Sequence, residues 1–337
     1  MTTTHYHRTR NQPIYQSVQA AWLGSLSELL DHGENVTGVI QTTSVGSNFG
    51  HRIRDFRELV STSFIIEAPR RRLTLSTHRP IDLGYAFANC LWVLSGSDDL
   101  GQIQVYNPRA KLFSDDGSTL SGATGARIFY SSAGNQFEQV ALRLRKDPPT
   151  RRAVINVYLP GDLFCESRDC PCLTHLQFLL RDGALTCIAN MRSQSVLMVM
   201  PYDLVLLTML HEAMSVWLGV TLGPYIHNCG SFHYYLDEQE IVRCVINENS
   251  PTPFEMPPMI SFNQDISDNL REAEQILRSN LTSHPTMPVD FDGFGLDSYW
   301  SGVFAVIASG FRRRNGYPTI QDEVVPEDYL PLLRTRR

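Results

Sequence analysis

The chain has 337 residues, of which 42% are hydrophobic and 19% are charged, and its formal net charge is −6. This length allows one large domain or two smaller ones with a substantial core, and the acidic balance argues against a general nucleic-acid binder. The acidic net charge is still compatible with binding of a small anion by a few arginines. Among the basic residues only Lys111 and Lys146 are lysines, a bias that suits a G+C-rich genome.

No export signal or membrane span is predicted. The N-terminal sequence MTTTHYHRTRNQ is polar and lacks the apolar region of a secretory signal. The longest apolar run, about 195–223, contains Pro201, Asp203, His211 and Glu212, and we expect a turn followed by a buried helix. Seven cysteines, an odd number in a chain without a signal, indicate reduced thiols and a cytoplasmic protein.

Residues 1–16 are predicted to be a flexible N-terminal arm, and 17–337 to form one domain. The predicted elements up to residue 126 are a helix over about 17–32, a Gly/Ser/Thr-rich loop over 41–59, a strand in STSFIIEAP, a helix over about 83–95 and a loop-rich stretch over 106–126.

The second half of the chain mixes strands and helices. Its predicted elements are a strand in RRAVINVYLP, two strands joined by an Arg-Asp-Gly turn in HLQFLLRDGALTCIANMRS, a long helix after Asp203, a strand in FHYYLDEQEIV, and helices near 268–280 and 298–312. There is no internal repeat and no clear linker. We therefore predict a single α+β domain.

The stretch RDCPCLTHLQF contains Cys170 and Cys172, with Cys165 just upstream. Zinc is disfavoured because paired C-x2-C ligands are missing, and a redox pair is disfavoured because the motif is C-P-C. Three buried structural thiols are the simplest alternative, since free cysteine is often buried. A nucleophile requires a group that favours the thiolate and a site around it.

The sequence downstream resembles the core of the thymidylate synthase family. The resemblance covers roughly 40–245 and is most specific over 150–236. It is carried, in family order and spacing, by Arg151-Arg152, Pro171-Cys172, Gln177-Phe178, Arg192-Ser193, Pro201-Tyr202-Asp203 and Gly230…His233…Tyr235. It implies an α+β, thymidylate synthase-like single domain with a large mixed β-sheet flanked by helices, the sheet lying at the dimer interface.

The resemblance also implies roles for these residues. Cys172 is the implied nucleophile, Cys170 a bystander, and Gln177 is assigned to the base. The implied phosphate ligands are Arg192, Ser193, either or both of Arg54 and Arg57, and Arg151 and Arg152 reaching in from a second subunit. A guanidinium suits a phosphate, and this sharing implies a homodimer. The implied cofactor is 5,10-methylenetetrahydrofolate, with no metal, nucleic acid or membrane partner.

Asp203 points to the pyrimidine. Thymidylate synthases carry an asparagine at this turn, whereas a carboxyl group matches cytosine, as in the cytidylate hydroxymethylases that this chain resembles. A protonated carboxyl donates to N3 and accepts from the 4-amino group; an ionised one accepts from both the amino group and a protonated N3. An N-cap role at the start of a helix is the alternative for Asp203.

Other departures from the synthase pattern favour hydroxymethylation over methylation. Asn89 replaces the family's glutamate before Leu-Trp, and as an amide it can orient water but is a poor base. Thr124, Leu173, Ser195 and Val199 replace further synthase residues, including folate contacts. The implied reaction is attack of Cys172 on C6, addition of the one-carbon unit at C5, and then addition of water.

His233 and Tyr235 match the family's sugar-binding residues, and Ala189 and Lys146 are candidates for admitting a 2′-hydroxyl, although a core alanine and a surface lysine are equally good interpretations. The substrate expected from the resemblance is CMP rather than dCMP, in a nucleoside-antibiotic pathway. A dCMP hydroxymethylase, a divergent methylating synthase and a non-catalytic nucleotide-binding homologue are the alternatives.

Overall fold

A computed structural model describes residues 12–45, 48–250 and 254–318 of the chain. Residues 1–11 of the predicted arm, and the C-terminal tail after residue 318, lie outside these ranges. The helices within them are α1 (Val18–His32), α2 (Leu83–Leu94), α3 (Leu100–Tyr106), α4 (Thr124–Phe129), α5 (Gln136–Lys146), α6 (Met200–Leu218), α7 (Gln239–Asn247), α8 (Gln264–Ser283) and α9 (Ser298–Arg314).

A mixed sheet is the centre of the described fold. Its strands are β1 (Ile14–Tyr15), β2 (Glu34–Val45), β3 (Asn48–Ile66), β4 (Val154–Asn156), β5 (Leu173–Arg181), β6 (Ala184–Ser195) and β7 (Thr221–Tyr235). The strand order is β1-β3-β7-β6-β5-β4, with β2 paired to β3. β6 and β7 run parallel and are joined through α6, whereas β5 and β6 form an antiparallel hairpin. The predicted mixed sheet flanked by helices is confirmed.

The β5–β6 turn is the predicted Arg-Asp-Gly sequence. Asp182 and Gly183 both have positive φ angles, of 50° and 76°, as a tight hairpin connection requires. Phe178, Cys187 and Ala189 are buried on the sheet, and α6 packs against β6 and β7. This packing brings the first turn of α6 to the ends of the same strands that hold the predicted site.

Two predicted elements are wrong. The segment 41–59 is not a loop, because β2 and β3 pair as a long hairpin from Glu34↔Glu58 to Val45↔Asn48, with a register shift between Val36 and Val39. The threonines and valines of β2 are good strand formers. Only the start of the predicted strand in FHYYLDEQEIV is extended. Strand β7 ends at Tyr235, and the rest of the segment leads into helix α7. Glu240 in the first turn of α7 and the buried Val242 and Val245 favour that helix.

The segment assigned to the arm contributes to the sheet. Ile14 and Tyr15 pair in parallel with Ile65 and Ile66 of β3. Helices α3, α4 and α5 were not predicted; each spans at most 11 residues. None of the described helices has the length and apolar content needed to cross a bilayer.

Helices α2 and α9 are in backbone contact. A Cβ at Gly84 would lie 2.7 Å from Cα of Gly310, and a Cβ at Gly310 would lie 2.5 Å from Cα of Gly84. At the end of α9, Arg314 pairs with Asp82 at 2.6 Å, and Asp82 is the N-cap of α2. The C-terminal helix therefore fixes the start of α2, which carries Asn89.

Candidate active site

Cys172 lies at the end of a long loop, immediately before β5. Three contacts hold this loop, which we call the nucleophile loop (residues 159–172). Asp162 forms an ion pair with Arg127 at 2.6 Å, Ser167 donates to Asp115 at 2.6 Å, and Asp169 accepts from the backbone N–H of Gly122 at 2.8 Å. The nucleophile is thus positioned by elements from 115 to 127 as well as by the sheet.

The Cys172 side chain is exposed to solvent, yet the protein atoms around the sulfur still desolvate the thiol. This burial raises the pKa of Cys172 to about 11; Arg192 lowers that pKa, and the carboxyl of Asp203 raises it. Because the thiolate is the nucleophile, the described chain holds Cys172 mostly as the thiol near neutral pH. Additional positive charge is needed to activate it.

Arg192 is anchored to the nucleophile loop. Its Nε donates to the carbonyl of Pro171 at 2.8 Å, and its Nη2 donates to the carbonyl of Cys170 at 3.1 Å. A guanidinium has five N–H donors, so the others are available to a bound anion. Ser193, the next residue, is half-buried opposite Ser231 of β7. The Arg192-Ser193 pair thus lies beside Cys172, as predicted for a phosphate site.

Asp203 is in the first turn of α6, but it is not the N-cap, because the helix begins at Met200 and Val199 precedes it. Its Oδ2 accepts from Nε2 of Gln194 at 2.8 Å. Burial raises the pKa of Asp203 to about 6, against a smaller lowering by the Gln194 hydrogen bond. The capping alternative therefore fails, and the carboxyl remains available to a ligand.

One face of α2 borders Asp203. Tyr85 and Tyr202 are in ring contact, with centroids 5.3 Å apart, and the Asp203 charge helps burial to raise the pKa of Tyr85 to about 12. Asn89 follows Tyr85 by four residues and is half-buried. Residues four apart share a helix face, which puts Asn89 on the side of α2 that carries Tyr85.

The sugar candidates lie at the end of β7. His233 and Tyr235 are buried, with the imidazole Nε2 3.4 Å from the tyrosine hydroxyl. Burial lowers the pKa of His233, so this ring is neutral near pH 7. Its Nδ1 is buried and has no hydrogen-bond partner among the described residues. A buried nitrogen without a partner is costly, and a ligand hydroxyl would satisfy it.

Both upstream arginine candidates already have protein partners. The guanidinium of Arg54 stacks on the Tyr235 ring at 3.6 Å and pairs with Asp237 and Glu238. Arg57 donates from Nε to the carbonyl of Leu29 at 2.8 Å. Arg54 thus supports the sugar candidates rather than presenting an open charge.

Gln177 and Ala189, two other predicted site residues, are held by contacts outside the group of site residues described above. The Gln177 amide donates to the carbonyl of Arg151 at 3.0 Å, and Gln177 alternates along β5 with the buried Leu176 and Phe178. Ala189 is fully buried in β6 between Leu176 and His227 in register. Its environment is that of a core alanine.

The remaining basic candidates form a separate surface. Lys146, Arg151 and Arg152 are exposed and, with Arg143, line an open groove of about 1010 Å³ between α5 and β4. In the single chain they form a basic groove with no nucleophile of its own. No cluster of three His, Cys, Asp or Glu side chains suited to a metal occurs among the described residues.

Sequence reasoning missed three neighbours of the site. Tyr85 could have been found from its spacing to Asn89. Cys229 is buried, and the Cys172 thiol contributes to raising its pKa to about 12, but its sequence context gives no signal. Gln194 follows Arg192-Ser193 directly; only the fold shows that it contacts Asp203.

Comparison with known proteins matches residues 30–290 to the thymidylate synthase family model. The chain belongs to the thymidylate synthase family. It is 31% identical over 251 residues to a deoxyuridylate hydroxymethyltransferase of Bacillus phage SP01, covering 69% of this chain and 64% of that protein. It is 26% identical over 164 residues to a thymidylate synthase of Staphylococcus haemolyticus (strain JCSC1435), covering 48% of this chain and 50% of that protein.

The chain thus spans between half and two thirds of these thymidylate synthase-family relatives. Among solved structures, thermostable thymidylate synthase A from Bacillus subtilis superposes with a TM-score of 0.60 at 16% identity, covering 73% of this chain and 92% of that one. This likeness confirms the thymidylate synthase-like fold. Helix α9, at 298–314, lies beyond the family match.

Proposed function

We propose that the chain is a cytidylate 5-hydroxymethylase, a folate-dependent one-carbon transferase. It transfers a one-carbon unit from 5,10-methylenetetrahydrofolate to C5 of CMP, and water completes 5-hydroxymethyl-CMP. The family supports the reaction class, and the relative named deoxyuridylate hydroxymethyltransferase supports hydroxymethylation as its outcome. The observation that carries the proposal is the half-buried carboxyl of Asp203, whose charge acts on the Cys172 thiol.

Asp203 supports cytosine for a chemical reason. Its pKa is raised to about 6, so the neutral acid is accessible near physiological pH. A neutral carboxyl donates one hydrogen bond and accepts another, which matches N3 and the 4-amino group of cytosine. A site that hydrogen-bonds a specific edge rejects the wrong edge strongly, because buried polar groups are left unpaired.

Cys172 is the proposed nucleophile at C6, and its attack makes C5 nucleophilic. Arg192 and Ser193 bind the phosphate, and His233 and Tyr235 bind the sugar. Asn89 would orient the water that adds at the C5 substituent. The C5 proton and the folate carrier would leave before this water adds to the exocyclic carbon, and departure of the Cys172 sulfur would then restore the aromatic ring.

The residues that replace the synthase folate contacts could hold the implied folate in a different way. Met198 and Val199 are 37% and 44% exposed, and they precede Asp203 at the start of α6. The hydroxyl of Ser195 is buried and has no partner among the described residues. These residues would hold an apolar ring with a polar edge. When bound, the cofactor supplies the one-carbon unit, and hydroxymethylation requires no hydride from it.

The proposed enzyme is a cytoplasmic homodimer. The thiol of Cys172 needs positive charge, and Arg151 and Arg152 lie in a groove without a nucleophile. If Arg151 and Arg152 reached across the sheet into the partner subunit's site, they would supply the positive charge that the thiol needs. The arginines would then lie next to a nucleophile. Lys146, in the same groove, is the proposed determinant for the 2′-hydroxyl of CMP, whereas Ala189, which is fully buried in the sheet, is left with the role of a core residue. We further propose a role in a nucleoside-antibiotic pathway, which is what the resemblance to the CMP 5-hydroxymethylase of mildiomycin biosynthesis implies.

Uridylate hydroxymethylation is the second candidate, favoured by the phage relative, which is named a deoxyuridylate hydroxymethyltransferase. Product mass spectrometry separates the candidates. The protein is incubated with methylenetetrahydrofolate and, separately, CMP, dCMP, UMP or dUMP. We expect a hydroxymethyl gain on CMP above dCMP and none on the uridylates.

Two variants test the nucleophile in the same assay. Cys172→Ala should abolish product, whereas Cys165→Ala, which removes another exposed thiol of the nucleophile loop, should retain it. A methyl gain would instead indicate a divergent synthase, and a product on dUMP or UMP would overturn the cytosine assignment. Binding of CMP without any product would indicate a non-catalytic homologue.

A further inference from the structure

Gln194 is a buried amide with an unusual pattern of contacts. Its side chain is 1% exposed, its Nε2 donates to Oδ2 of Asp203 at 2.8 Å, and its Oε1 has no hydrogen-bond partner among the described residues. The opposite amide orientation would leave both N–H donors unpaired, whereas this one leaves one N–H and the carbonyl oxygen unpaired, and buried orphan N–H groups are the rarer defect. The amide therefore acts as a donor to Asp203.

This contact matters because a carboxylic acid alone is ambiguous. Its proton can sit on either oxygen. With the proton opposite N3, the acid pairs with cytosine; with the proton opposite the C4 substituent, it donates to O4 of uracil and accepts from N3–H. Burial of a neutral aspartate therefore does not by itself select cytosine.

We propose that Gln194 is the second base-specificity residue of this site, holding Oδ2 of Asp203 as the acceptor that faces the 4-amino group and leaving Oδ1 to carry the proton donated to N3. This inference rests on the proposed function. Oδ2 accepts from both Gln194 and the amino group, since a carboxyl oxygen has two lone pairs. Pairing with uracil would require the carboxyl proton to be on Oδ2. There it would repel the N–H that Gln194 directs at the same oxygen.

The other titratable groups near Asp203 leave this assignment intact. Cys172 on the nucleophile loop, Cys229 and Tyr225 on β7, and Tyr85 on α2 interact with its charge. Burial raises the pKa of all four, so they stay neutral from pH 5 to 8.5. A change in base preference over that range belongs to Asp203.

The test compares wild-type protein, Gln194→Met and Thr208→Val. Methionine keeps the length of the side chain and removes the donor. Thr208 is a matched control, because it is fully buried on the same helix as Asp203 and bonds only to helix carbonyls, at 2.6 and 3.2 Å. The dissociation constants of CMP and UMP are measured calorimetrically from pH 5 to 8.5. Both nucleotides carry the same phosphate, so its titration cancels in the ratio.

We expect wild-type protein to prefer CMP, with a preference that falls as pH rises through the Asp203 pKa. Gln194→Met should reduce the ratio of UMP to CMP dissociation constants about 10-fold, as loss of a hydrogen bond to a charged or acid group does. Loss of a donor to the carboxylate also raises its pKa, so the fall should move to higher pH. Thr208→Val should change neither.

Infrared difference spectra of the nucleotide-free protein give an independent measurement. The carboxyl stretch of Asp203, assigned by its loss in Asp203→Asn, should titrate at higher pH in Gln194→Met. An unshifted titration overturns the positioning role. An unchanged nucleotide ratio overturns the specificity role. A wild-type preference for UMP overturns both the specificity role and the cytidylate proposal, whereas CMP preference that Gln194→Met does not reduce overturns the inference alone.

Discussion

At the residue scale, Cys172 is subject to opposing effects. Desolvation is the largest and raises its pKa, the Arg192 guanidinium lowers it, and the Asp203 carboxyl raises it again. Arg192 acts from a fixed position, since two loop carbonyls hold it. These contacts attach the Arg192 guanidinium to the nucleophile loop, which carries the Cys172 sulfur.

Arg192→Gln should therefore make Cys172 less reactive. Removing a nearby positive charge raises the thiol pKa, so the midpoint of iodoacetamide alkylation should move to higher pH. At pH 8 the alkylation rate should fall about 3- to 10-fold, because one pKa unit is a factor of ten in thiolate. Peptide mass spectrometry resolves Cys172 from the other thiols.

Arg181→Gln is the control for that measurement. Arg181 is at the far end of β5 and donates to the carbonyl of Leu180. Its replacement should leave the alkylation profile of Cys172 unchanged. An equal shift in both variants would show a general effect of net charge and contradict the local role of Arg192.

Residue identities also show how far sequence reasoning reaches. Cys172, Arg192, Ser193 and Asp203 were predicted from motif spacing, and the fold gathers them. Gln194 was not predicted, because its role depends on the distance between a strand end and a helix start. Arg54 was expected at the phosphate, but its stacking on Tyr235 depends on the pairing of β3 with β7, which the 41–59 segment did not reveal.

At the element scale, the nucleophile loop depends on its buried contacts. The Arg127–Asp162 pair has side chains only 12% and 13% exposed, and Arg127 also donates to the carbonyl of Val157 at 2.9 Å. The Arg168–Asp115 pair of the same loop is 3.8 Å apart, and its side chains are 50% and 43% exposed. Shielded pairs hold loops more strongly than exposed ones.

Asp162→Asn should loosen the nucleophile loop. Losing the charge of a shielded pair should increase hydrogen exchange of amides in 159–169 about 10-fold and lower turnover, because the loop sets the position of Cys172. Exchange measured by mass spectrometry at fixed pH reports the opening. Arg168→Gln, which breaks the exposed pair, should leave exchange nearly unchanged; the reverse order would contradict this account.

Element prediction followed local pattern and failed where the pattern was mixed. The helix near 298–312 and the β5–β6 hairpin were predicted correctly because helical spacing and turn residues were clear. The strand predicted through Leu236–Val242 is wrong. Tyr234 and Tyr235 favour a strand, and the prediction extended that strand past the acidic residues at which the chain turns. Tertiary pairing of β2 with β3 overrode the loop signal of glycine and serine.

At the scale of the whole molecule, the proposed site is divided between two copies. Cys172 and Arg192 lie together at the nucleophile loop. Arg151 and Arg152 of the same chain line a separate groove, which neither Cys172 nor Arg192 lines. Symmetric dimers exchange equivalent surfaces reciprocally. Each proposed site therefore combines the nucleophile of one subunit with the arginines of the other.

Mixing two inactive variants tests this division. Cys172→Ala and Arg151→Gln/Arg152→Gln should each be nearly inactive, and subunit exchange in an equal mixture should restore about a quarter of wild-type activity, because half the dimers then hold one intact site. Product formation is measured after exchange. A chain carrying all three substitutions, mixed with Cys172→Ala, should restore nothing. Absence of recovery in the first mixture, with exchange demonstrated, would place the arginines in their own subunit's site.

The contact between α2 and α9 bears on how this chain can be divided. The match to the family model ends at residue 290, yet Gly310 touches the backbone of α2 and Arg314 holds its first turn. A protein shortened to the matched region would leave an apolar helix without its neighbour. The end of the family match and the end of an independently folding unit therefore fall at different residues in this chain.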